Sequence, residues 1–248
     1  MRDYMAELAA RVDFIRGVLE GAGATGLVYG NSGGKDAALV GILCKKACAN
    51  TLGLILPCGI SRSYGVDRDD ALLVAGLFDI QTREIDLANA HESIVTAVET
   101  ATNLTDGARA NIAPRLRMQT LYAIGFSENR LVVGTGNRSE NYLGYFTKWG
   151  DGDYDLNPIK DLTVTEVFEF LRYLNVPQSI INKPPSAGLY DGQTDEEDLG
   201  IKYSELDIFL KTGEASDENR AIYERYHAKT EHKRRLPATF GGNLTKGV

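Results

Sequence analysis

The sequence predicts an α/β protein with a doubly wound, mainly parallel sheet and helices on both faces. Short apolar segments alternate with longer segments of helical periodicity through the first half of the chain. A glycine-rich turn follows the first apolar segment, and the length of 248 residues suits one α/β domain. Strands joined through helices form right-handed crossovers, so this alternation favours parallel pairing.

The first half supplies the expected sheet and most of its helices. Apolar residues at steps of three and four from Met5 to Leu19 predict an amphipathic helix that ends at Gly21 and Gly23. The segments that follow are predicted as strand 25–29, helix 37–49, strand 52–56, helix 66–78, strand 81–85, helix 88–101, helix 111–128 and strand 131–134.

The second half of the chain differs from the first in composition. Residues 135–158 are rich in Gly, Asn and Asp with interspersed aromatic residues, which is typical of a long ordered loop with a functional role. Helices are predicted at 165–174, 204–212 and 217–233. Because no repeat or linker divides the chain, we expect a single domain over residues 1–248.

Charge and cysteine content limit the partners and the compartment. The 27 Lys and Arg residues against 34 Asp and Glu residues give a net charge of −7, which argues against a general nucleic-acid or anionic-membrane surface. The chain has neither the basic-then-apolar order of a signal peptide nor an apolar run of about 18 residues, so we expect a cytoplasmic protein without membrane partners. Cys44, Cys48 and Cys58 fit neither a disulfide framework nor zinc spacing, and buried free thiols are expected.

The turn after the first strand is suited to bind phosphate. Its residues are Gly30, Asn31, Ser32, Gly33, Gly34, Lys35, Asp36 and Ala37. Backbone N–H groups and a helix N-terminus converge there, Ser32 adds a hydroxyl donor, and Asp36 can hold Mg²⁺ on the phosphate oxygens. The spacing matches neither G-x-x-x-x-G-K-[ST] nor G-x-G-x-x-G, so neither a Walker nucleotidase nor a dinucleotide oxidoreductase is indicated. A tight structural turn is the alternative.

The string SGGKDA at 32–37 resembles the SGGxDS pyrophosphate loop of the ATP pyrophosphatases, which split ATP into AMP and pyrophosphate. The resemblance implies the fold of the adenine nucleotide α-hydrolases. Ala37 stands where that pattern has its last serine, and this removes one phosphate donor.

Four later strings resemble the ammonia-dependent NAD synthetases in particular: GTGNRSE (134–140), GYFTKWGDGDYDLNPI (144–159), KPPSAGLYDGQTDEEDLG (183–200) and EHKRRLP (231–237). The resemblance implies that ATP serves as co-substrate while ammonia converts deamido-NAD to NAD through an NAD-adenylate, with release of AMP and pyrophosphate. It also implies Mg²⁺, a homodimer with deamido-NAD at the interface, and a synthetase domain without a glutaminase or amidase domain.

The same resemblance assigns roles to individual positions. Asp36 and Glu140 are the expected magnesium ligands and catalytic residues. Lys35 is also an expected catalytic residue, because it lies in the phosphate-binding turn itself. Residues 30–37, Thr135 and Ser186 are expected to contact ATP. The expected deamido-NAD contacts are Arg115, Lys148, Asp155, His232 and Lys233. The position of Glu140 agrees with these roles, because it follows the carboxyl end of a strand, where ligands collect in open α/β sheets.

One position departs from the family pattern. Val164 stands where the family has a lysine that contacts the ATP phosphates. Because a pyrophosphate leaving group needs cationic compensation, we expect another basic residue to supply it. Lys35 is favoured, Lys160 is second if the stretch from it to Val164 is helical, and Arg62 is a weaker choice.

Two other functions stay open at this point. Another ATP pyrophosphatase, such as a tRNA-thiolating enzyme, would require a broadly basic surface or paired cysteines. A non-catalytic nucleotide-binding module is the second alternative, because Ala37 and Val164 both lack polar groups.

Overall fold

The computed structural model describes residues 2–59, 61–186, 192 and 194–240, without the side chains of residues 61 and 62. Four parallel strands form its sheet in the order β3-β2-β1-β4. The strands are β1 Gly26–Gly30, β2 Thr51–Ile55, β3 Gln81–Glu84 and β4 Arg130–Val133. A parallel bridge between Val133 and Leu156 extends the sheet beyond β4.

Helices connect and cover the strands. They are α1 Tyr4–Ala22, α2 Lys35–Ala47, α3 Ser61–Tyr64, α4 Val66–Leu77, α5 Ala88–Glu99, α6 Asp106–Ala110, α7 Ile112–Ser127, α8 Arg138–Leu143, α9 Val164–Tyr173, α10 Gln178–Ile181, α11 Asp195–Leu199, α12 Tyr203–Thr212 and α13 Asp217–Lys229, followed by a 3₁₀ turn at Glu231–Lys233.

The two faces of the sheet carry separate cores, which confirms the doubly wound prediction. Leu27 and Tyr29 of β1 pack with α1, α2 and α9 on one face, whereas Val28 between them packs with α7 on the other. This is the alternation that a strand covered on both sides requires. A third apolar cluster joins α8, α12 and α13 through residues such as Leu143, Leu206 and Tyr223.

The strand order creates a crevice beside β1. The chain moves outward from β1 to β2 and β3, then returns to the opposite side of β1 with β4. The loops after β1 and β4 therefore diverge, and this is the topological switch point at which open α/β sheets bind ligands.

Several helix boundaries in the structure differ from those predicted from the sequence. Helix α13 ends at Lys229, earlier than the predicted 233, and the chain continues as a 3₁₀ turn. Lys160 lies in a turn, Thr163 is an extended N-cap, and α9 begins only at Val164, so Lys160 does not lie one helical turn before that position. A capping box formed by Thr163 and Glu166 fixes this start of α9.

Cys44 and Cys58 are buried free thiols, as expected, whereas Cys48 is partly exposed. In the part of the chain that the structure describes, no helix is both long and apolar enough to cross a membrane.

Candidate active site

A cavity of about 440 Å³ opens at the carboxyl ends of β1, β2 and β4. Seven of the eight residues in the 30–37 turn line it, together with residues 134–136, Glu140 and residues 183–186. The crevice expected from the strand order is thus present as a partly open cavity. Thr135 and Ser186, the two further positions expected to contact ATP, both lie on its wall.

The turn over residues 30–37, called the phosphate loop here after its predicted role, has a shape that depends on Gly33. This residue has φ +71°, and a Cβ there would lie 2.0 Å from the carbonyl oxygen of Asp67. Only glycine fits such a close approach in the left-handed region. Gly34 caps α2 without a side-chain hydrogen bond, so the first N–H groups of the helix face the loop.

The phosphate loop carries a buried cation between two carboxylates. The Nζ of Lys35 lies 2.7 Å from Oδ2 of Asp36 and 3.8 Å from Oε1 of Glu140. Burial alone would lower the pKa of Lys35, but the two carboxylates outweigh that effect and raise it. Lys35 is therefore positively charged at neutral pH.

Asn137 holds the two carboxylates in place. It caps α8 by accepting a hydrogen bond from the Glu140 N–H at 3.0 Å, and its own N–H donates to Oε2 of Glu140 at 3.1 Å. Its Nδ2 donates to Oδ1 of Asp36 at 3.2 Å. One buried amide thus joins the loop after β1 to the loop after β4.

The pair of carboxylates fits a magnesium ion. Burial and the neighbouring charge of Asp36 raise the pKa of Glu140, and Lys35 offsets this only in part, so a further cation beside Glu140 would favour its ionised form. Hard oxygen donors of this kind suit Mg²⁺. The described side chains include no group of three or more His, Cys, Asp or Glu suited to a metal, so phosphate and water oxygens would complete the coordination.

Six charged residues of the cavity wall were not predicted from the sequence: Asp67, Arg68, Arg117, Asp151, Lys183 and Asp195. Lys183 binds α4, because its Nζ lies 2.6 Å from Asp67 Oδ1 and 2.6 Å from Asp70 Oδ2. It also donates to the carbonyl of Gly33 at 3.3 Å. Asp195 is buried at the start of α11 and accepts from the Tyr203 hydroxyl at 3.3 Å. Lys183 and Asp195 lie in the 183–200 string that resembles the family, but the sequence did not predict these contacts.

The candidates for replacing the missing lysine differ in position. Val164 is buried in the third apolar cluster and does not line the cavity. Lys160 is also absent from the cavity wall, and its Nζ lies 5.4 Å from the centre of the Tyr154 ring. The Arg62 side chain lies outside the described residues. Lys35 therefore remains the best placed of the three.

The residues expected to bind deamido-NAD divide into two groups. Lys233 lines the cavity, where its Nζ donates to the carbonyls of Gly144 and Phe146 at 2.7 Å and burial lowers its pKa. The other four, which lie outside this cavity wall, are Arg115, Lys148, Asp155 and His232.

Contacts within the chain explain where those four residues lie. Lys148 Nζ donates to the His232 carbonyl at 2.7 Å, so these two residues are neighbours. Asp155 Oδ2 accepts from the Val132 N–H at 2.7 Å, and this bond ties it to the edge of β4. Arg115 is exposed on α7 and donates to the carbonyl of Asn111 at 3.1 Å.

The parallel sheet, the phosphate loop and the paired carboxylates define an α/β nucleotide-binding enzyme. The sequence model of the NAD synthase family matches residues 7–237, and the chain belongs to that family. The NH₃-dependent NAD⁺ synthetase of Carboxydothermus hydrogenoformans is 45% identical over 229 residues, which cover 91% of this chain and 93% of that protein. The enzyme of the same name from Alkaliphilus metalliredigens is 43% identical over 247 residues, covering 93% and 98%.

Solved structures agree with this assignment. An NMN synthetase from Francisella tularensis superposes with a TM-score of 0.92 at 34% identity, covering 98% of this chain and all of the other. The NH₃-dependent NAD synthetase of Campylobacter jejuni superposes with a TM-score of 0.79 at 28% identity, covering 97% and 100%.

Proposed function

We propose that this protein uses ATP and ammonia to convert deamido-NAD to NAD, with release of AMP and pyrophosphate. One observation carries the proposal: in a member of the NAD synthase family, the phosphate loop and the Asp36–Glu140 pair face one cavity at the switch point of the sheet. A pyrophosphate-releasing reaction needs anion-binding N–H groups and cation-binding carboxylates side by side.

The reaction follows from positioning rather than from a nucleophilic side chain. An oxygen of the nicotinate carboxylate attacks the α-phosphorus of ATP, and the bond to the bridging oxygen breaks as pyrophosphate leaves toward the loop. Ammonia then adds to the carbonyl carbon of the adenylate, AMP departs with the bonding electrons, and the new amide loses a proton. The protein supplies orientation and fixed charge for both steps.

Each group of the site has a defined task in this scheme. The N–H groups at the start of α2 bind the leaving pyrophosphate, and Lys35 adds positive charge. Asp36 and Glu140 would hold Mg²⁺, which neutralises phosphate charge when bound. Thr135 and Ser186 lie on the cavity wall, which supports the expectation that they contact ATP.

A homodimer with deamido-NAD at its interface is part of the proposal. The positions of Arg115, Lys148, Asp155 and His232 support it, because they lie outside the cavity of their own chain. Such residues can serve a substrate that is shared with a second subunit. The single-domain organisation and the cytoplasmic location expected from the sequence stay predictions.

A direct assay tests the proposed activity. The purified chain, supplied with MgATP, ammonium and deamido-NAD, is expected to form NAD, AMP and pyrophosphate in equal amounts, measured by chromatography. Binding of ATP without turnover would instead favour a non-catalytic module. AMP formation that depends on tRNA would favour another ATP pyrophosphatase.

A second candidate substrate is nicotinate mononucleotide. The TM-score of 0.92 to an NMN synthetase, against 0.79 to the Campylobacter NAD synthetase, favours this possibility. The same assay with either nicotinate substrate decides between them through the ratio of the two kcat/KM values. We expect deamido-NAD to be preferred, and a larger kcat/KM with the mononucleotide would reverse that assignment.

The nitrogen donor gives a prediction on pH. Neutral NH₃ is the nucleophile, so at fixed subsaturating total ammonium the rate should rise about tenfold per pH unit below the pKa of ammonium. Plotted against the concentration of NH₃, rates at different pH should fall on one curve. Glutamine should not replace ammonium, and efficient NAD formation from glutamine by this chain would contradict the prediction.

A further inference from the structure

Arg117 reaches the cavity from α7 at the carboxyl edge of the sheet. Its Nε donates to the carbonyl oxygen of Leu56, one residue beyond the end of β2, at 3.0 Å. This bond fixes the plane of the guanidinium beside the site and leaves both Nη atoms for other partners.

The partners of Arg117 differ from those of the other cations on the wall. Lys35 and Lys183 are bound by aspartates, and Arg68 is bound by Glu84. Lys233 donates to two carbonyls. Within the residues that the structure describes, the bond to Leu56 is the one hydrogen bond of Arg117, and it forms no ion pair.

An incompletely paired guanidinium in such a place needs an explanation. Withdrawal from water disfavours its charge and lowers its pKa, and the neighbouring groups Cys58, Asp151 and Asp67 offset this only in part, although arginine stays protonated at neutral pH. A bound oxyanion would offset that cost, because two parallel N–H donors match the geometry of phosphate oxygens. Arg117 would then add charge to a site in which Val164 occupies the position of a lysine.

We propose that Arg117 binds a phosphate group of a substrate nucleotide through its two Nη atoms. The proposal rests on the proposed function for the identity of the nucleotides. Both ATP and deamido-NAD carry phosphate, and separate binding measurements distinguish these two sources.

Isothermal titration of the protein with MgATP alone, and with deamido-NAD alone, tests the proposal without turnover. Arg117→Met should raise the Kd of one nucleotide about tenfold to a hundredfold, which is the usual loss for a charge-assisted contact. Arg117→Lys should recover part of the affinity because it keeps the charge. Arg117→Gln can keep a donor for Leu56 but has no charge, and it should not recover the affinity.

Arg130 offers a matched control. It also donates to strand-end carbonyls, those of Leu27 and Asn50, but at the opposite, amino-terminal edge of the sheet. Arg130→Gln should lower the unfolding temperature and leave both Kd values unchanged. Thermal unfolding of all variants shows whether each is folded.

Two results would overturn the proposal: unchanged Kd values for both nucleotides in Arg117→Met, or wild-type affinity in Arg117→Gln. The wild-type product assay tests the proposed function separately. Loss of nucleotide affinity in Arg117→Met, in a protein that makes no NAD, would defeat the proposed function and leave this inference standing.

Discussion

Replacing Asp36 by Asn is expected to lower kcat by about a hundredfold to a thousandfold while leaving the protein folded. The amide keeps the size of the side chain but removes the charge that pairs with Lys35 at 2.7 Å and that would hold Mg²⁺ with Glu140. Loss of one charged group that acts on developing phosphate charge has effects of this size. Steady-state rates at saturating Mg²⁺ and circular dichroism provide the two measurements.

Asp161→Asn is the control for this variant. Asp161 also accepts hydrogen bonds from a cation, Arg11, but this pair lies outside the cavity. Its replacement should lower stability without lowering kcat. Wild-type turnover of Asp36→Asn at saturating Mg²⁺ would remove Asp36 from the metal assignment.

Replacing Lys35 by Met is expected to raise the KM for ATP, to lower kcat, or both, by about tenfold to a hundredfold. Lys35 is buried on the cavity wall, and its charge is the compensation predicted for the residue missing at Val164. Lys160→Met is the natural comparison, since Lys160 lies off the wall beside Tyr154, and it should change neither parameter by more than about twofold.

Val164→Lys further tests whether Lys35 supplies the positive charge that a lysine at position 164 would provide. Introduced into Lys35→Met, it should restore part of the lost activity if a lysine at 164 can leave the apolar cluster and reach the phosphates. If neither Lys35→Met nor Lys160→Met changes a parameter by more than about twofold, the compensation hypothesis is wrong. Lys35→Met leaves two carboxylates without their cation, and this can destabilise the protein. Unfolding temperatures therefore show whether lost activity comes from a lost phosphate contact or from lost structure.

The sheet and the phosphate loop could be predicted from the sequence because local patterns specify them. Strands β1, β2 and β4 contain short apolar runs, and a helix that begins directly after glycines is visible in the order of residues. The edge strand β3 is polar and mostly exposed, so this signal does not apply to it. The short helix α8 escaped detection because it lies within a glycine- and asparagine-rich segment. Its capping box, Asn137 with Glu140, was the one signal that could have located it.

The missed contacts of the site depend on the tertiary structure. The ion pair of Lys183 with Asp67 joins residues more than a hundred positions apart, and no local pattern links them. The bond from Arg117 to Leu56 likewise depends on how α7 crosses the sheet. The burial of Val164 is a third example, because it follows from the packing of α9 against α12 rather than from the residues beside it.

The capping box of α8 has a consequence for how a cation would be captured. Oε2 of Glu140 accepts a hydrogen bond from the Asn137 N–H, and Oε1 lies 3.8 Å from Lys35 Nζ of the loop. Glu140 can therefore present Oε1 to a cation from a side-chain rotamer that its capping contact with Asn137 already fixes. Such a ligand loses little conformational entropy on binding, so the rearrangement that accompanies cation capture falls mainly on Lys35, whose Nζ lies between the two carboxylates.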